Sequence, residues 1–168
     1  MRCAHIGLLN FHRPETLVRD SLDSSLITHW DARACWATVA VNLAISELLA
    51  GEKEGLISRI IERIEDPRAK EAVMQVETLT KEELSPTGCV MDTLQVALWC
   101  LLNTASFESV SSGKSFRNQD SDTTAAVCGA VAGAYYGLEE IPLRWRQPLK
   151  GRAEIERLAS EIYTVSLG

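Results

Sequence analysis

Apolar residues recur at three- and four-residue intervals along nearly every segment of this chain, which is the spacing of one face of a helix. The pattern is clear at Ile57, Ile60, Ile61 and Ile64. Further helices are predicted in the stretches "PETLVRDSLDSS", "DARACWATVAVNLAISELLAG", "PRAKEAVMQVETLT", "VMDTLQVALWCLLNTA" and "GRAEIERLASEIYTV". No stretch alternates as a strand does. The sequence therefore predicts an all-α fold, with residues 1–168 forming a single domain.

Charge and cysteine content exclude several classes of function. The net charge is −6 and no stretch is rich in lysine or arginine, so neither nucleic acid nor a membrane surface is an expected partner. The longest apolar run, "ACWATVAVNLAISELLA", is shorter than a bilayer span and is interpreted as a buried helix. The five cysteines include no CxxC pair, which indicates a reducing compartment and a cytoplasmic location.

The motif "DSDTT" stands at the head of a helix rich in small residues. In this helix Gly129, Gly133 and Gly137 recur every four residues, which predicts the close approach of a neighbouring helix. Asp120, Asp122 and the threonines that follow could cap this helix, because their oxygens satisfy its free N–H groups. The same oxygens also suit a hard cation such as Mg²⁺, Mn²⁺ or Ca²⁺. A helix N-terminus repels cations, so such a site would need more anionic ligands than this motif provides.

Two other polar clusters precede apolar helices. His29 in "LITHWDARACW" could be a structural hydrogen-bonding residue, a contact to a ligand hydroxyl, or an acid or base near neutral pH. Asp92 and Thr93 open the helix of "VMDTLQVALWC", and capping explains them as well as a functional role does. Each cluster alone fits both a structural and a functional interpretation.

Taken together and in this order, three segments resemble the ADP-ribosylglycohydrolase family. They are "SSLITHWDARACWATVAVNLAISELLAG", "TGCVMDTLQVALWCLLNTASFES" and "DSDTTAAVCGAVAGAYYGLEEIPLRW". The resemblance implies a compact all-α fold of orthogonal helices. It also implies a hydrolase that uses two Mg²⁺ or Mn²⁺ ions to cleave the glycosidic bond between ADP-ribose and an acceptor, often an arginine side chain.

The resemblance also assigns roles to particular residues. The family's D-x-D-T metal motif falls on Asp120, Asp122 and Thr123, and the histidine that lines its ADP-ribose pocket falls on His29. ADP-ribose or an ADP-ribosylated protein is the implied partner. No catalytic residue of the family is matched within this chain.

The chain departs from the family pattern at its N-terminus, where family members are longer. The missing part would carry a T-D-D metal motif, an acidic residue near the metals and a glycine-rich loop that runs into a Met-Arg pair, which here is Met1-Arg2. The resemblance therefore describes an N-terminally truncated, C-terminal portion with about half of the metal ligands. Such a chain is expected to bind a divalent ion weakly.

Three functions follow as alternatives. The chain could be a hydrolase that works with an upstream half-chain. It could be a truncated pseudoenzyme kept as an interaction or structural protein, which predicts an exposed apolar face and self-association. It could also be a small ADP-ribose-binding module that uses His29, although the family's glycine-rich loop is missing.

Overall fold

The computed structural model describes residues 3–85, 89–111 and 121–167, apart from the side chain of Ser121. Within these ranges the chain forms ten α-helices, one short 3₁₀ turn at Lys81–Glu83, and no strand. The helices are α1 (Ala4–Leu9), α2 (Pro14–Leu26), α3 (Ala32–Leu49), α4 (Leu56–Arg63), α5 (Pro67–Gln75), α6 (Val90–Asn103), α7 (Phe107–Ser111), α8 (Ser121–Tyr136), α9 (Leu143–Arg146) and α10 (Arg152–Ser166). The prediction of an all-α fold is confirmed.

Three apolar helices, α3, α6 and α8, pack against one another at the centre of the fold. Their buried residues belong to one hydrophobic cluster, which the isoleucines of α4 also join. Helices α1 and α2 pack on α3, α5 packs on α3 and α6, and α7 packs on α8. The N-terminal ends of α3, α6 and α8 all carry the polar clusters that the sequence singled out.

Helix α3 is long and apolar enough to cross a bilayer by length and composition alone. It has 18 residues and a mean hydropathy of 1.2, and 61% of it is buried inside the fold. Asp31 caps it by accepting a hydrogen bond from the backbone N–H of Arg33 at 2.9 Å. Burial of this kind is typical of a core helix, which was the interpretation from sequence.

Glycines at positions 129, 133 and 137 were predicted to allow a close helix–helix approach, and the structure places that approach elsewhere. A Cβ added at Gly129 would lie 4.0 Å from Ser111 Oγ, and one at Gly133 would lie 4.0 Å from Phe107 Cε2. These are ordinary van der Waals distances, so α7 would tolerate a side chain at either site. The close approach is at Gly7 in α1, where a Cβ would lie 3.0 Å from the Asn42 carbonyl oxygen.

We expect Gly7→Ala to lower the free energy of unfolding by about 1–3 kcal/mol, the usual cost of overpacking a core. The new Cβ would also lie 3.0 Å from Ile45 Cβ, so α1 would have to move away from α3. Urea unfolding followed by circular dichroism measures the change. Gly133→Ala is the matched control, and it should be neutral or stabilising because its Cβ meets only an ordinary contact. Equal losses at both positions would contradict the assignment.

Large apolar side chains are exposed near the C-terminus. Among those at least 36% exposed, eight lie within residues 143–167: Leu143, Trp145, Leu149, Ile155, Leu158, Tyr163, Val165 and Leu167. Helix α10 packs on α1, and Tyr163 stacks against Phe11 with ring centroids 6.1 Å apart. Most of the apolar surface of α10 therefore faces away from the rest of the described chain.

Candidate functional site

An open cleft of about 890 Å³ lies where the N-terminal ends of α3, α6 and α8 converge. Residues of the α2–α3 loop form one wall, among them Thr28, His29 and Asp31. Cys89 and Thr93 contribute from the start of α6, and Thr123 contributes from the start of α8. The fold thus brings residues from each of the three polar clusters to one cleft, although the clusters are far apart along the chain.

His29 is exposed at the edge of this cleft, and its neighbour orients its ring. Thr28 Oγ1 lies 2.8 Å from His29 Nδ1, and which of the two atoms donates depends on the tautomer of the imidazole. This bond occupies Nδ1 and leaves Nε2 as the nitrogen able to meet a ligand. The geometry therefore fits a histidine that contacts a ligand hydroxyl through one nitrogen.

Asp31 and Arg33 form an ion pair on the same wall. Arg33 Nε lies 3.1 Å from both carboxylate oxygens of Asp31, and the Arg33 backbone N–H adds a bond of 2.9 Å. The side-chain hydrogen bond from Arg33 is the largest cause that lowers the pKa of Asp31 to about 2. Asp31 is therefore an ionised cap at neutral pH, and it has no proton to give to a substrate.

Replacing Arg33 with glutamine should raise the pKa of Asp31 towards its ordinary value of 3.8. Because the pKa is depressed in the folded chain, the stability that ionised Asp31 contributes is present above 3.8 and is lost as the pH falls towards about 2. NMR titration of the Asp31 carboxyl carbon measures the pKa directly. Arg19→Gln removes a distant exposed charge and should leave this titration unchanged.

The first turn of α8 carries two of the three predicted metal ligands. Asp122 is exposed, and Thr123 is half-buried at the cleft. Asp120, the third ligand and the predicted cap, lies outside the described residues. Both described side chains offer oxygen, which is the donor that Mg²⁺ and Mn²⁺ prefer, so the residues fit such an ion by type.

The described part of the chain contains no complete metal site. Within residues 3–85, 89–111 and 121–167, no three side chains of His, Cys, Asp or Glu gather into a group that could hold an ion. Asp120 lies outside these ranges, so the expected metal site at Asp120, Asp122 and Thr123 stays a prediction.

Thr124, the next residue, faces the core and not the cleft. It is fully buried, and its Oγ1 has no hydrogen-bond partner within the described ranges. We expect Thr124→Val to raise the free energy of unfolding by about 1 kcal/mol, because a buried hydroxyl without a partner costs 1–3 kcal/mol. Thermal unfolding checks this. Thr38→Val is the matched control, since the Thr38 hydroxyl already donates to the Ala34 carbonyl at 2.9 Å, and it should bring no gain.

Capping at the start of α6 differs from the prediction for Asp92 and Thr93. The N-cap is Cys89, and both predicted residues lie inside the first turn of the helix. Thr93 Oγ1 donates to the Cys89 carbonyl oxygen at 3.2 Å, a local bond that a threonine in a helix commonly makes. Thr93 also borders the cleft, whereas Asp92 is not part of its lining.

Sequence reasoning missed the contribution of α1 to this site. Cys3 and His5 both line the cleft, and both depend on the close packing of α1 against α3 at Gly7. Burial raises the pKa of the Cys3 thiol, so this sulfur stays protonated. A helix of six residues has too few turns for its apolar spacing to be recognised, and no other signal in the sequence indicated it.

The family model and two of the curated relatives that match this chain are all named for the hydrolysis of ADP-ribosyl bonds. The family model described as ADP-ribosylglycohydrolase matches residues 1–167. The ADP-ribosylarginine hydrolase Tri1 of Pseudomonas putida (strain GB-1) is 24% identical over 165 residues, or 97% of this chain and 44% of that protein. Its counterpart in Serratia proteamaculans (strain 568) is 34% identical over 83 residues, or 49% of this chain and 23% of that protein.

A solved structure is also similar over most of the chain. It is described as an ADP-ribosylglycohydrolase-related protein complex, and it superposes with a TM-score of 0.78 at 29% sequence identity. The match covers 96% of this chain and 57% of that one. The chain therefore spans about half the length, or less, of these relatives.

Proposed function

Since this chain belongs to the ADP-ribosylglycohydrolase family, we propose that it takes part in hydrolysing the bond between ADP-ribose and an arginine-type acceptor. The observation that carries the proposal is the shared cleft. His29 and Thr123, which the family pattern assigns to ligand and to metal, line one cavity although one lies in the α2–α3 loop and the other in α8. If these residues served only the ends of helices, they would not need to line the same cavity.

We assign separate tasks to the predicted site residues and to the ion pair of the cleft wall. Asp120, Asp122 and Thr123 would hold one side of a divalent-metal centre. When bound, Mg²⁺ or Mn²⁺ would orient the ribose hydroxyls and stabilise the charge that develops as the glycosidic bond breaks. His29, held through Nδ1 by Thr28, would contact the ligand with Nε2. The Asp31–Arg33 pair would keep the loop rigid below it.

The experiment that tests this proposal is release of free ADP-ribose from an ADP-ribosylated arginine substrate. The purified chain would be incubated with Mg²⁺ or Mn²⁺, beside an Asp120→Ala variant. Turnover that the variant abolishes would support the hydrolase and show that these ligands suffice. A folded chain without turnover would overturn autonomous activity and favour dependence on a partner.

A second function, as a partner-dependent or purely structural protein, is favoured by the surface beside the cleft. Ile27 is 81% exposed and Trp30 is 88% exposed, and they flank His29 on either side. Large apolar side chains in this position are typical of a covered interface. An upstream half-chain or a second copy seated there would both hide this surface and enclose the cleft.

Light scattering after size exclusion tests this second function. Self-association that Trp30→Ser weakens would support coverage by a second copy, and a monomer that is also inactive would favour an upstream half-chain. For either association we propose a cytoplasmic location, because the free thiols of all five cysteines are stable in a reducing compartment. A monomer with full activity would exclude coverage by a second copy and coverage by an upstream half-chain.

A further inference from the structure

A second cavity, of about 520 Å³, lies on a different face of α8 from the cleft. Ala125 and Gly129 of α8 form its floor, and α7, α9 and the start of α10 form its walls. Among the described residues it shares no lining side chain with the cleft. Its volume is within the range of small-molecule sites, about 300–1,000 Å³.

The wall of this cavity contains a buried arginine whose bonding is incomplete. Arg146 is 8% exposed, and its Nε has no hydrogen-bond partner among the described residues. Its guanidinium forms an ion pair from Nη2 to Glu139 Oε2 at 3.4 Å, and that carboxylate is itself 86% exposed. Arginine stays charged under all conditions a protein meets, so an unpaired donor on a buried guanidinium is costly.

A serine hydroxyl that likewise lacks a described hydrogen-bond partner faces the same cavity. Ser111 Oγ, at the end of α7, is buried and has no hydrogen-bond partner in the part of the chain that the structure describes. Arg152 and Glu156 are the other charged residues of the described lining, and they pair with each other at 2.7 Å. The net charge of this lining is therefore the positive charge of Arg146. Most of the remaining surface is apolar, with Trp145 and Leu149 beside the arginine.

We propose that this cavity binds a small amphipathic anion, an organic carboxylate or sulfonate with an apolar or aromatic body. The anionic head would accept hydrogen bonds from Arg146 Nε and from the Ser111 hydroxyl, which satisfies both unpaired groups. The body would lie against Trp145, Leu149 and Ile155. A neutral ligand of the same shape would leave the guanidinium unpaired and would bind more weakly.

Two fluorescent probes with the same ring system test the proposal. Anilinonaphthalene sulfonate carries the anionic head, and phenylnaphthylamine lacks it. We expect the sulfonate to bind one to one, and at least about 10-fold more tightly than the neutral probe. A hydrogen bond to a charged group strengthens binding by about this factor. Arg146→Met should remove this preference and leave the affinity for the neutral probe unchanged. Lys150→Gln, which removes an exposed charge nearby, should change neither affinity.

A pair of variants at Gly129 keeps the test decisive if Arg146→Met does not fold. A Cβ at this position meets only Ser111 Oγ, at 4.0 Å, so Gly129→Ala should bind both probes as before. Gly129→Leu should fill the cavity and block both. Equal affinity of the wild type for the two probes would overturn the proposal. So would sulfonate binding that survives Gly129→Leu, or a dimer that excludes both probes from the cavity.

Discussion

Asp122→Asn is expected to weaken the binding of Mn²⁺ by at least about 10-fold, since loss of even an outer partner of a metal site costs 10- to 100-fold in affinity. Asparagine keeps the shape of the side chain and removes its charge. Asp122 is exposed in the first turn of α8, so the substitution disturbs no core packing. Electron paramagnetic resonance of free Mn²⁺ measures binding without requiring the chain to be active.

The wild-type chain should bind Mn²⁺ weakly, with a dissociation constant of roughly 10⁻⁴–10⁻³ M, as is usual for exposed sites with few ligands. Asp23→Asn, on the exposed face of α2, removes an equal charge and should leave this affinity unchanged. The release of ADP-ribose should fall together with binding in any assembly that has activity. Unchanged binding in Asp122→Asn would remove this residue from the proposed metal centre and leave it as part of the helix terminus.

Leu98→Ala should lower the free energy of unfolding by about 2–5 kcal/mol, the range for a leucine deleted from a closely packed core. Leu98 has no exposed surface, and it lies in α6 where that helix packs against α3 and α8. The cavity left behind cannot collapse easily, because helices surround it. Since the three polar clusters lie at the starts of these same helices, the loss should also loosen the cleft.

Chemical unfolding in urea measures this loss, and Leu102→Ala is its matched control on the same helix. Leu102 is half-buried, so its truncation removes less surface from the core and should cost clearly less. A similar loss in both variants would mean that α6 is not the centre of the fold.

The two cavities differ in how their charged residues are paired. In the cleft, the charges of Asp31 and Arg33 neutralise each other. In the second cavity, Arg146 retains a positive charge, and its Nε has no hydrogen-bond partner among the described residues. The second cavity therefore fits the proposed anion, whereas the described charges of the cleft are balanced.

Helical content could be read from the sequence because it depends on local spacing. The helices predicted in "PETLVRDSLDSS", around Ile57–Ile64 and in "GRAEIERLASEIYTV" are present as α2, α4 and α10, and Asp31 caps α3 as expected. The short helices α1 and α9 were not predicted, since six and four residues hold too little periodicity. The resemblance to the ADP-ribosylglycohydrolase family, which rested on motifs, is confirmed over residues 1–167.

The sequence by itself determined the fold class, the family and the candidate residues His29, Asp120, Asp122 and Thr123, because periodicity and motifs are properties of short segments. Only the tertiary structure decided that His29 and Thr123 share one cleft, since that depends on how α3, α6 and α8 cross. The tertiary structure also shows that the close glycine contact lies at Gly7 in α1 and not in α8, where it was predicted. The burial of Arg146 was likewise invisible in the sequence, because a charged residue in a short loop helix is ordinarily exposed and only packing against distant helices buries it.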